Sequence, residues 1–332
     1  MKKLRCGAIG LGRLGLRHAL NIAQVPQAQL VAVSDVSQGS LDRFTQYYAD
    51  VDTYLNYEEL LSRDDIDAVV ITTSTSTHAE VLRKAIEAKK AIFLEKPISL
   101  DVQEARELTA LAEKTNSFVQ LGFMRRFDTS YAQAKELIDS GAIGSPVSFV
   151  GISRDPGAPP LEFIPGSGGI VMDLSVHDLD LARWFLESEV TEVYARAAVV
   201  RFEEIGKAGD FDHVDISLTF ANGKVGSLES SRNSQYGYDV RTEVVCSDGA
   251  VQIGRVHDNG LTVLLPQALE QHPVPGFLER FEKAYAAEIE AFVLDVLANK
   301  EPRITLQDGV KAMEIAEAAN ESLKTNKPVK LR

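Results

Sequence analysis

Lys96, Asp173 and His177 have side chains that can move a proton and stabilise charge on a reacting oxygen. Asp173 and His177 lie four residues apart in a predicted helix, so both project from one face of it. Histidine is the side chain best suited to accept a proton near neutral pH, and a neighbouring carboxylate can orient the imidazole or bind a substrate hydroxyl. Lys96 follows a predicted strand, where its ammonium group can stabilise a developing alkoxide. These residues predict chemistry at a hydroxyl group.

The same residues have structural interpretations that the sequence leaves open. Most lysines are solvated surface residues, and an Asp–His pair at helical spacing is often a structural contact. A metal site formed by His177 with Asp173 and Asp178 is a further alternative. No second histidine lies near them in the sequence, so we predict no metal.

A glycine-rich segment follows the first predicted strand and opens the first predicted helix. Its six residues are Gly10, Leu11, Gly12, Arg13, Leu14 and Gly15. In this pattern Gly10 allows a tight turn, Gly12 lets the backbone approach a pyrophosphate, and Gly15 allows the helix to pack closely on the strand. The helix N-terminus offers free N–H groups to the phosphates. We therefore predict a dinucleotide site here; the alternative is a glycine-rich turn without a ligand.

Further candidate cofactor contacts follow the next strands. Asp35 ends the second predicted strand, where a carboxylate binds ribose hydroxyls and repels a 2′-phosphate, so we predict NAD rather than NADP. The alternative for Asp35 is a surface turn. Polar residues at the ends of two later strands can contact the ribose or the nicotinamide, although helix capping by Ser76 or Thr77 is an alternative for part of this set. These residues are Thr73, Ser74, His78, Glu95 and Lys96.

Strand-like and helix-like segments alternate along residues 1–122, which predicts βαβ units and a parallel Rossmann sheet of the α/β class. The predicted strands are 4–9, 30–34, 68–72, 91–94 and 118–122, and the predicted helices are 14–25, 40–48, 57–62, 78–88 and 102–115.

Residues 123–332 are predicted to form a second, α+β domain with an open, mostly antiparallel sheet. The turn dipeptides Asn222-Gly223 and Asp248-Gly249 favour hairpins. Residues 155–169 are rich in Pro and Gly and predict a long functional loop. The other predicted segments are helices at 130–140, 171–186, 277–299 and 306–325 and strands at 146–153, 190–202, 212–220, 224–231, 241–246 and 249–253. The last helix is expected to pack back on the first domain.

Composition restricts the classes of protein. The chain has 332 residues and a formal net charge of −13, which makes nucleic-acid binding an unfavourable default. Its two cysteines, Cys6 and Cys246, indicate neither a disulfide framework nor a zinc cluster. We recognise neither a signal peptide nor a run of about 18 apolar residues. We therefore expect a cytoplasmic protein that binds neither a membrane nor nucleic acid.

Three sequence runs together resemble the Gfo/Idh/MocA oxidoreductases over nearly the whole chain: AIGLGRLG, EKP and GGIVMDLSVHDLDLARW. Within that family, GFMRRFD (122–128) and YGYD (236–239) are similar to the inositol 2-dehydrogenase branch. The resemblance implies a Rossmann domain, a C-terminal domain with an open sheet, and a homotetramer formed through that sheet. It implies that Lys96, Asp173 and His177 are catalytic. It also implies that the polyol site is lined by Met124, Arg125, Asp180 and Tyr236.

The chain departs from the branch just before its active-site helix. Many myo-inositol dehydrogenases carry a His-Arg-Asn stretch, where this chain has Ser153-Arg154-Asp155-Pro156. Asp155 is thus a further candidate for substrate binding, and the stereoisomer stays open between myo-inositol, scyllo-inositol and a pyranose.

The predicted function is NAD-dependent oxidation of an inositol hydroxyl to the keto-inositol, with His177 as general base and Lys96 steadying the oxygen. One alternative is a related oxidoreductase that acts on an aldose or another pyranose. Another is a catalytically silent NAD-binding sensor, since fold alone does not decide function.

Overall fold

The computed structural model describes residues 3–254 and 257–331. The chain forms two compact units. Unit 1 contains Met1–Phe127 and Lys283–Val310, and unit 2 contains Asp128–Glu282 and Lys311–Arg332. The boundary expected from sequence, at residue 122, lies five residues before the end of the first segment of unit 1. Among the described residues, no helix is both long enough and apolar enough to cross a bilayer.

Unit 1 is built on a six-stranded parallel sheet with the order β3-β2-β1-β4-β5-β6, which is the dinucleotide-binding strand order. Its strands are β1 Leu4–Ile9, β2 Ala28–Ser34, β3 Asp52–Tyr54, β4 Ala68–Ile71, β5 Ala91–Glu95 and β6 Val119–Gly122. Its helices are α1 Arg13–Gln24, α2 Gln38–Thr45, α3 Tyr57–Leu61, α4 Thr75–Glu87, α5 Val102–Thr115 and α10 Glu282–Leu297.

Apolar central strands explain why this sheet is covered on both faces. Every residue of β4 is fully buried, as expected for a parallel strand between helical layers. Phe292 of α10 packs edge-on against Phe93 of β5, with ring centroids 5.9 Å apart. The first of the two closing helices therefore contributes to the core of unit 1.

Unit 2 contains a seven-stranded sheet with the order β12-β11-β7-β10-β9-β8-β15. The β7–β10 pair is parallel and the other pairs are antiparallel, which confirms the mostly antiparallel prediction. Both predicted hairpins are present, since β9 pairs with β10 and β11 with β12. The strands are β7 Pro146–Arg154, β8 Val190–Ala198, β9 His213–Phe220, β10 Val225–Ser231, β11 Asp239–Cys246, β12 Ala250–Ile253 and β15 Val329–Lys330.

Burial alternates along the central strands of this sheet, so helices cover one face only. In β9 the residues are alternately buried and exposed, and Phe149 of β7 packs on Phe185 of α7 with centroids 6.3 Å apart. The helices of this unit are α6 Thr129–Asp139, α7 Val176–Leu186, α8 Glu203–Lys207 and α9 Phe277–Arg280, together with most of α11 Leu306–Thr325.

Several elements differ from the sequence prediction. The expected strand 190–202 ends at Ala198, and the expected helix 277–299 is divided into α9 and α10. A separate hairpin of β13 His257–Leu265 and β14 Ala268–Pro273 was not expected. Its two-residue connection, Pro266-Gln267, lacks the Asn-Gly or Asp-Gly signal of tight hairpins.

Both cysteines are free and buried. Burial, with a smaller contribution from Asp67, raises the pKa of Cys6 to about 12. The thiol therefore stays protonated at neutral pH and is a packing residue rather than a nucleophile.

Candidate active site

The glycine-rich segment forms an open cradle at the start of α1. Gly10 has a φ of +91°, and a Cβ there would lie 2.7 Å from the carbonyl group of Thr72. A Cβ on Gly15 would lie 2.1 Å from the Gly10 carbonyl oxygen. Gly12 differs, because a Cβ there meets no atom within 4 Å. No side chain caps α1 and its first turn holds no acidic residue, so the free N–H groups fit a pyrophosphate.

These glycines give a matched pair of variants. We expect Gly12→Ala to fold normally, because its Cβ enters open space, and to weaken NAD binding by about tenfold or more, which is ~1.4 kcal/mol. Gly15→Ala should instead destabilise the fold by about 1–3 kcal/mol, because its Cβ overlaps the backbone. Isothermal titration with NAD and denaturant unfolding separate the two effects. Normal NAD affinity in Gly12→Ala would contradict the placement of the pyrophosphate.

Asp35 follows β2 and lies beside the glycine-rich segment. Its Oδ2 accepts a hydrogen bond from the Leu11 N–H at 2.7 Å, and its Oδ1 accepts one from the Ser37 N–H at 2.8 Å. The sequence predicted a role for both segments, and the structure brings them together. A carboxylate in this position can accept bonds from ribose hydroxyls and repel a 2′-phosphate.

The residues after β4 form a short loop and the first turn of α4. Ser74 is the N-cap residue of α4, and its side chain makes no cap bond. Ser76 and Thr77 therefore lie within the first turn and do not cap the helix. Thr73 accepts a hydrogen bond from the Thr77 hydroxyl at 2.9 Å. The exposed Ser74 leaves the start of this helix open to a ligand.

His78 lies in the interior of unit 1, where it is 2% exposed. Its Nδ1 is 2.7 Å from the Pro97 carbonyl oxygen and its Nε2 is 3.1 Å from that of Thr73. Burial lowers the pKa of His78, so the ring is neutral at neutral pH and donates its one N–H to the nearer carbonyl of Pro97. His78 thus holds the loop at Pro97 in place through its backbone carbonyl, and its expected contact with the cofactor stays a prediction.

Glu95 and Lys96 lie at the carboxyl end of β5. Glu95 is 7% exposed and its Oε2 accepts a hydrogen bond from the Lys96 N–H at 3.3 Å. Lys96 itself is half-buried. The backbone is therefore fixed on both sides of Lys96, by Glu95 before it and by His78 after it.

In unit 2, Asp173 lies in a π-helical segment, Val171–Ser175, that leads into α7. The sequence predicted one regular helix from residue 171. A π-turn changes the angle between successive side chains, and such turns are frequent at functional sites. Asp173 lies in this π-helical segment and His177 in α7, so the two residues are not related by the regular i,i+4 geometry of one α-helix.

Arg232 is a residue of this unit that the sequence analysis missed. It follows β10, is 1% exposed, and donates from Nη2 to Asp173 Oδ2 at 3.2 Å. Asp210 and Asp155 lie 3.8 and 4.0 Å from the same guanidinium. Two predicted site residues, Asp155 and Asp173, thus lie beside the same buried guanidinium. A lone arginine after a strand gives no sequence signal for this arrangement.

His177, Asp178 and Asp180 are all buried in α7. The Ser153 hydroxyl donates to Asp178 Oδ2, and a Cβ on Gly151 would lie 2.9 Å from the same carboxylate. Asp178 therefore ties α7 to β7 and has a structural role. His177 is the second residue of α7, just after the end of the π-helical segment.

Tyr236 belongs to a network at the ends of β7 and β11. Its hydroxyl donates to Asp239 Oδ2 at 2.8 Å and accepts from Arg154 Nη1 at 2.9 Å. Burial, followed by the hydrogen bond to Asp239, raises the pKa of Tyr236. Since Tyr236 is half exposed, this neutral hydroxyl is held in a fixed direction with one side open.

The other predicted substrate residues, Met124 and Arg125, lie in unit 1. They occupy a 3₁₀ turn at Met124–Phe127 and are 4% and 2% exposed. The predicted site residues therefore fall into two groups, one in each unit, and their roles toward a substrate stay predictions.

Comparison with known proteins identifies the family. Residues 4–123 match the family described as "Oxidoreductase family, NAD-binding Rossmann fold", and residues 131–252 match "GFO/IDH/MocA C-terminal domain". The chain is 38% identical to scyllo-inositol 2-dehydrogenase (NAD(+)) of Bacillus subtilis over 99% of this chain and 96% of that protein. It is 36% identical to myo-inositol 2-dehydrogenase of Thermotoga maritima over 99% of this chain and 98% of that protein.

The fold comparison agrees. The structure of scyllo-inositol dehydrogenase from Lactobacillus casei with bound NAD(H) and scyllo-inositol superposes with a TM-score of 0.94. That match covers 99% of each chain at 33% identity. The open cradle at Gly12, the adjacent Asp35 and the parallel strand order agree with these matches. The chain therefore belongs to the Gfo/Idh/MocA family of oxidoreductases, with an NAD-binding Rossmann fold.

Proposed function

We propose that this oxidoreductase removes a hydride from a carbon bearing a hydroxyl group of an inositol, with NAD as acceptor and the keto-inositol as product. The observation that supports it best is the match to inositol 2-dehydrogenases at 36–38% identity over 99% of the chain. The resemblance to the family implies that Lys96, Asp173 and His177 are the catalytic residues of this chain.

We assign the proton transfer to His177. In this proposal His177 accepts the hydroxyl proton, and Lys96 donates to the same oxygen to stabilise the charge that develops on it. NAD, when bound, supplies the nicotinamide ring that takes the hydride. Asp173 binds a neighbouring hydroxyl, and the buried guanidinium of Arg232 fixes the direction of its carboxylate.

Substrate recognition is assigned to five further residues. Met124, Arg125, Asp155, Asp180 and Tyr236 are the proposed polyol contacts. Asp155 replaces an asparagine of many myo-inositol dehydrogenases, and it lies 4.0 Å from the Arg232 guanidinium. A carboxylate only accepts hydrogen bonds, so this replacement favours substrates that present a hydroxyl donor there.

Product analysis tests this proposal. After incubation with NAD and either myo-inositol or scyllo-inositol, mass spectrometry should find a product two hydrogens lighter than the substrate. A lactone formed from D-glucose would instead favour the aldose alternative. NAD binding without a product from any polyol would favour the silent sensor.

The choice of NAD over NADP is assigned to Asp35. We expect Asp35→Ser to lower the preference for NAD by about tenfold or more, because a like charge beside a 2′-phosphate costs several kcal/mol and each 1.4 kcal/mol is tenfold. Titration of both cofactors measures the ratio. Asp42→Ser, on the exposed surface of α2, is the control and should leave the ratio of the NAD and NADP affinities unchanged. If Asp35→Ser has the same ratio as the unmodified chain, the assignment is refuted.

The tetramer implied by the family also remains a proposal. Its support is the outer face of the sheet of unit 2, where alternate residues of β9 and β10 are exposed while helices cover the other face. The cytoplasmic location and the lack of nucleic-acid binding remain predictions.

A further inference from the structure

Three titratable side chains meet in the interior of unit 1, although they are far apart in sequence. His18 of α1, Glu95 of β5 and Glu288 of α10 are 0%, 7% and 0% exposed. His18 Nε2 lies 2.7 Å from Glu95 Oε1 and 3.8 Å from Glu288 Oε1. Two carboxyl groups therefore share one imidazole in a place that water does not reach.

Both oxygens of Glu95 take part in hydrogen bonds. Oε1 is paired with His18 Nε2, and Oε2 accepts the Lys96 N–H at 3.3 Å. A carboxylate satisfies two donors, whereas an amide of the same shape would turn an NH₂ group toward one of them. Glu95 therefore connects the helix after the glycine-rich segment to the backbone of Lys96.

Glu288 differs from Glu95. Within the described part of the chain, neither of its carboxyl oxygens has a hydrogen-bond partner. Burial, and then the nearby charge of Glu95, raise the pKa of Glu288 well above its usual value. It therefore carries a proton at neutral pH, since an unpaired buried charge would be far more costly. The other titratable groups near this cluster are His78, Lys96 and Tyr285.

The cluster is also the one group of three in the described ranges whose ligand atoms all lie within 4.8 Å of one another. The distance of 2.7 Å between His18 and Glu95 is a hydrogen-bond distance. Two ligands bound tetrahedrally at about 2.0 Å from one zinc ion would lie about 3.3 Å apart. The observed geometry therefore fits a shared hydrogen bond better than a metal ion.

We propose that Glu95 is a positioning residue for Lys96, held on its other side by His18 and Glu288. His18 fixes one oxygen of Glu95, so the other is directed at the backbone N–H of Lys96. Glu288 fills the remaining space without adding a second negative charge. This inference rests on the proposed function only where it concerns turnover.

Glu95→Gln tests the positioning role. We expect kcat with an inositol to fall by about 10- to 100-fold, as found when a supporting residue is lost or a reacting group is misplaced by about 1 Å. Amide hydrogen exchange at Lys96 should become faster, because the amide of Gln can turn its NH₂ group, which accepts no hydrogen bond, toward the Lys96 N–H.

Thr109→Val is the control for a merely structural effect. Thr109 is buried in α5 and donates to the Ala105 carbonyl at 2.8 Å. Its loss should lower stability but leave both kcat and Lys96 exchange unchanged. If Glu95→Gln behaves like Thr109→Val, the positioning role is refuted. If the unmodified chain turns over no inositol, the proposed function fails, and Lys96 exchange still decides this inference.

Glu288→Gln tests whether the carboxyl group of Glu288 carries a proton in the folded state. Because its folded pKa is raised, the folded state retains a proton that the unfolded state releases above about pH 4.3. Raising the pH above about 4.3 therefore favours unfolding of the unmodified chain, but has no such effect through residue 288 in Glu288→Gln. The ratio of their unfolding constants should rise up to tenfold per pH unit until the folded group ionises. The rate of amide hydrogen exchange at Lys96 should be the same in the unmodified chain and in Glu288→Gln. A ratio independent of pH between 5 and 8 would refute the proton-bearing Glu288.

Discussion

Replacing His177 with alanine should lower kcat by about 10²- to 10⁴-fold, which is the usual contribution of a general base. The expected cause is loss of the group that takes the hydroxyl proton. NAD affinity should not change, because the cradle at Gly12 belongs to unit 1 and His177 to unit 2. Stopped-flow turnover and NAD titration measure the two quantities separately.

Added imidazole provides the decisive control for this variant. A small base that enters the space left by His177 should restore part of the turnover, which a purely structural loss would not allow. His213→Ala, at a half-buried histidine of β9 in the same unit, should turn over normally. A kcat for His177→Ala close to that of the unmodified chain would contradict the assignment.

Replacing Arg232 with methionine should destabilise unit 2 by about 3–5 kcal/mol, which is the cost of breaking a buried ion pair by removing one partner. Asp155, Asp173 and Asp210 would then face one another without the cation. Since Asp173 would also lose its fixed direction, KM for an inositol should rise. Denaturant unfolding and steady-state kinetics measure these effects.

An exposed ion pair in the same unit provides the comparison. Lys207 and Glu204 are 65% and 62% exposed, so Lys207→Met should cost no more than about 1 kcal/mol. If the two substitutions cost the same, the buried cluster around Arg232 does not hold the site together.

The elements that a sequence predicts most completely are those with a signal in neighbouring residues. The glycine-rich segment and Asp35 are predictable because a turn, a helix start and a strand end each leave a signal in neighbouring residues. The structure brings them together, with the Leu11 N–H 2.7 Å from Asp35. The parallel sheet follows from the alternation of apolar strands and amphipathic helices for the same reason.

Long-range packing accounts for what the sequence did not show. Arg232 and Glu288 carry no motif, and the contacts that define their roles are made with residues distant in sequence. The π-turn before α7 and the three-residue strand β3 are too short for a periodic pattern. The ring nitrogens of His78 face two backbone carbonyls, a contact that its position after β4 did not indicate, and its role toward the cofactor stays a prediction.

The most direct test of the proposed function is the reduction of NAD, followed by absorbance, with myo-inositol, scyllo-inositol or D-glucose, and the same assay with NADP. We predict rapid reduction of NAD by at least one inositol and much slower reduction of NADP. Reduction by D-glucose alone would move the substrate to a pyranose. No reduction by any of the three, in a protein that binds NAD, would contradict the proposal.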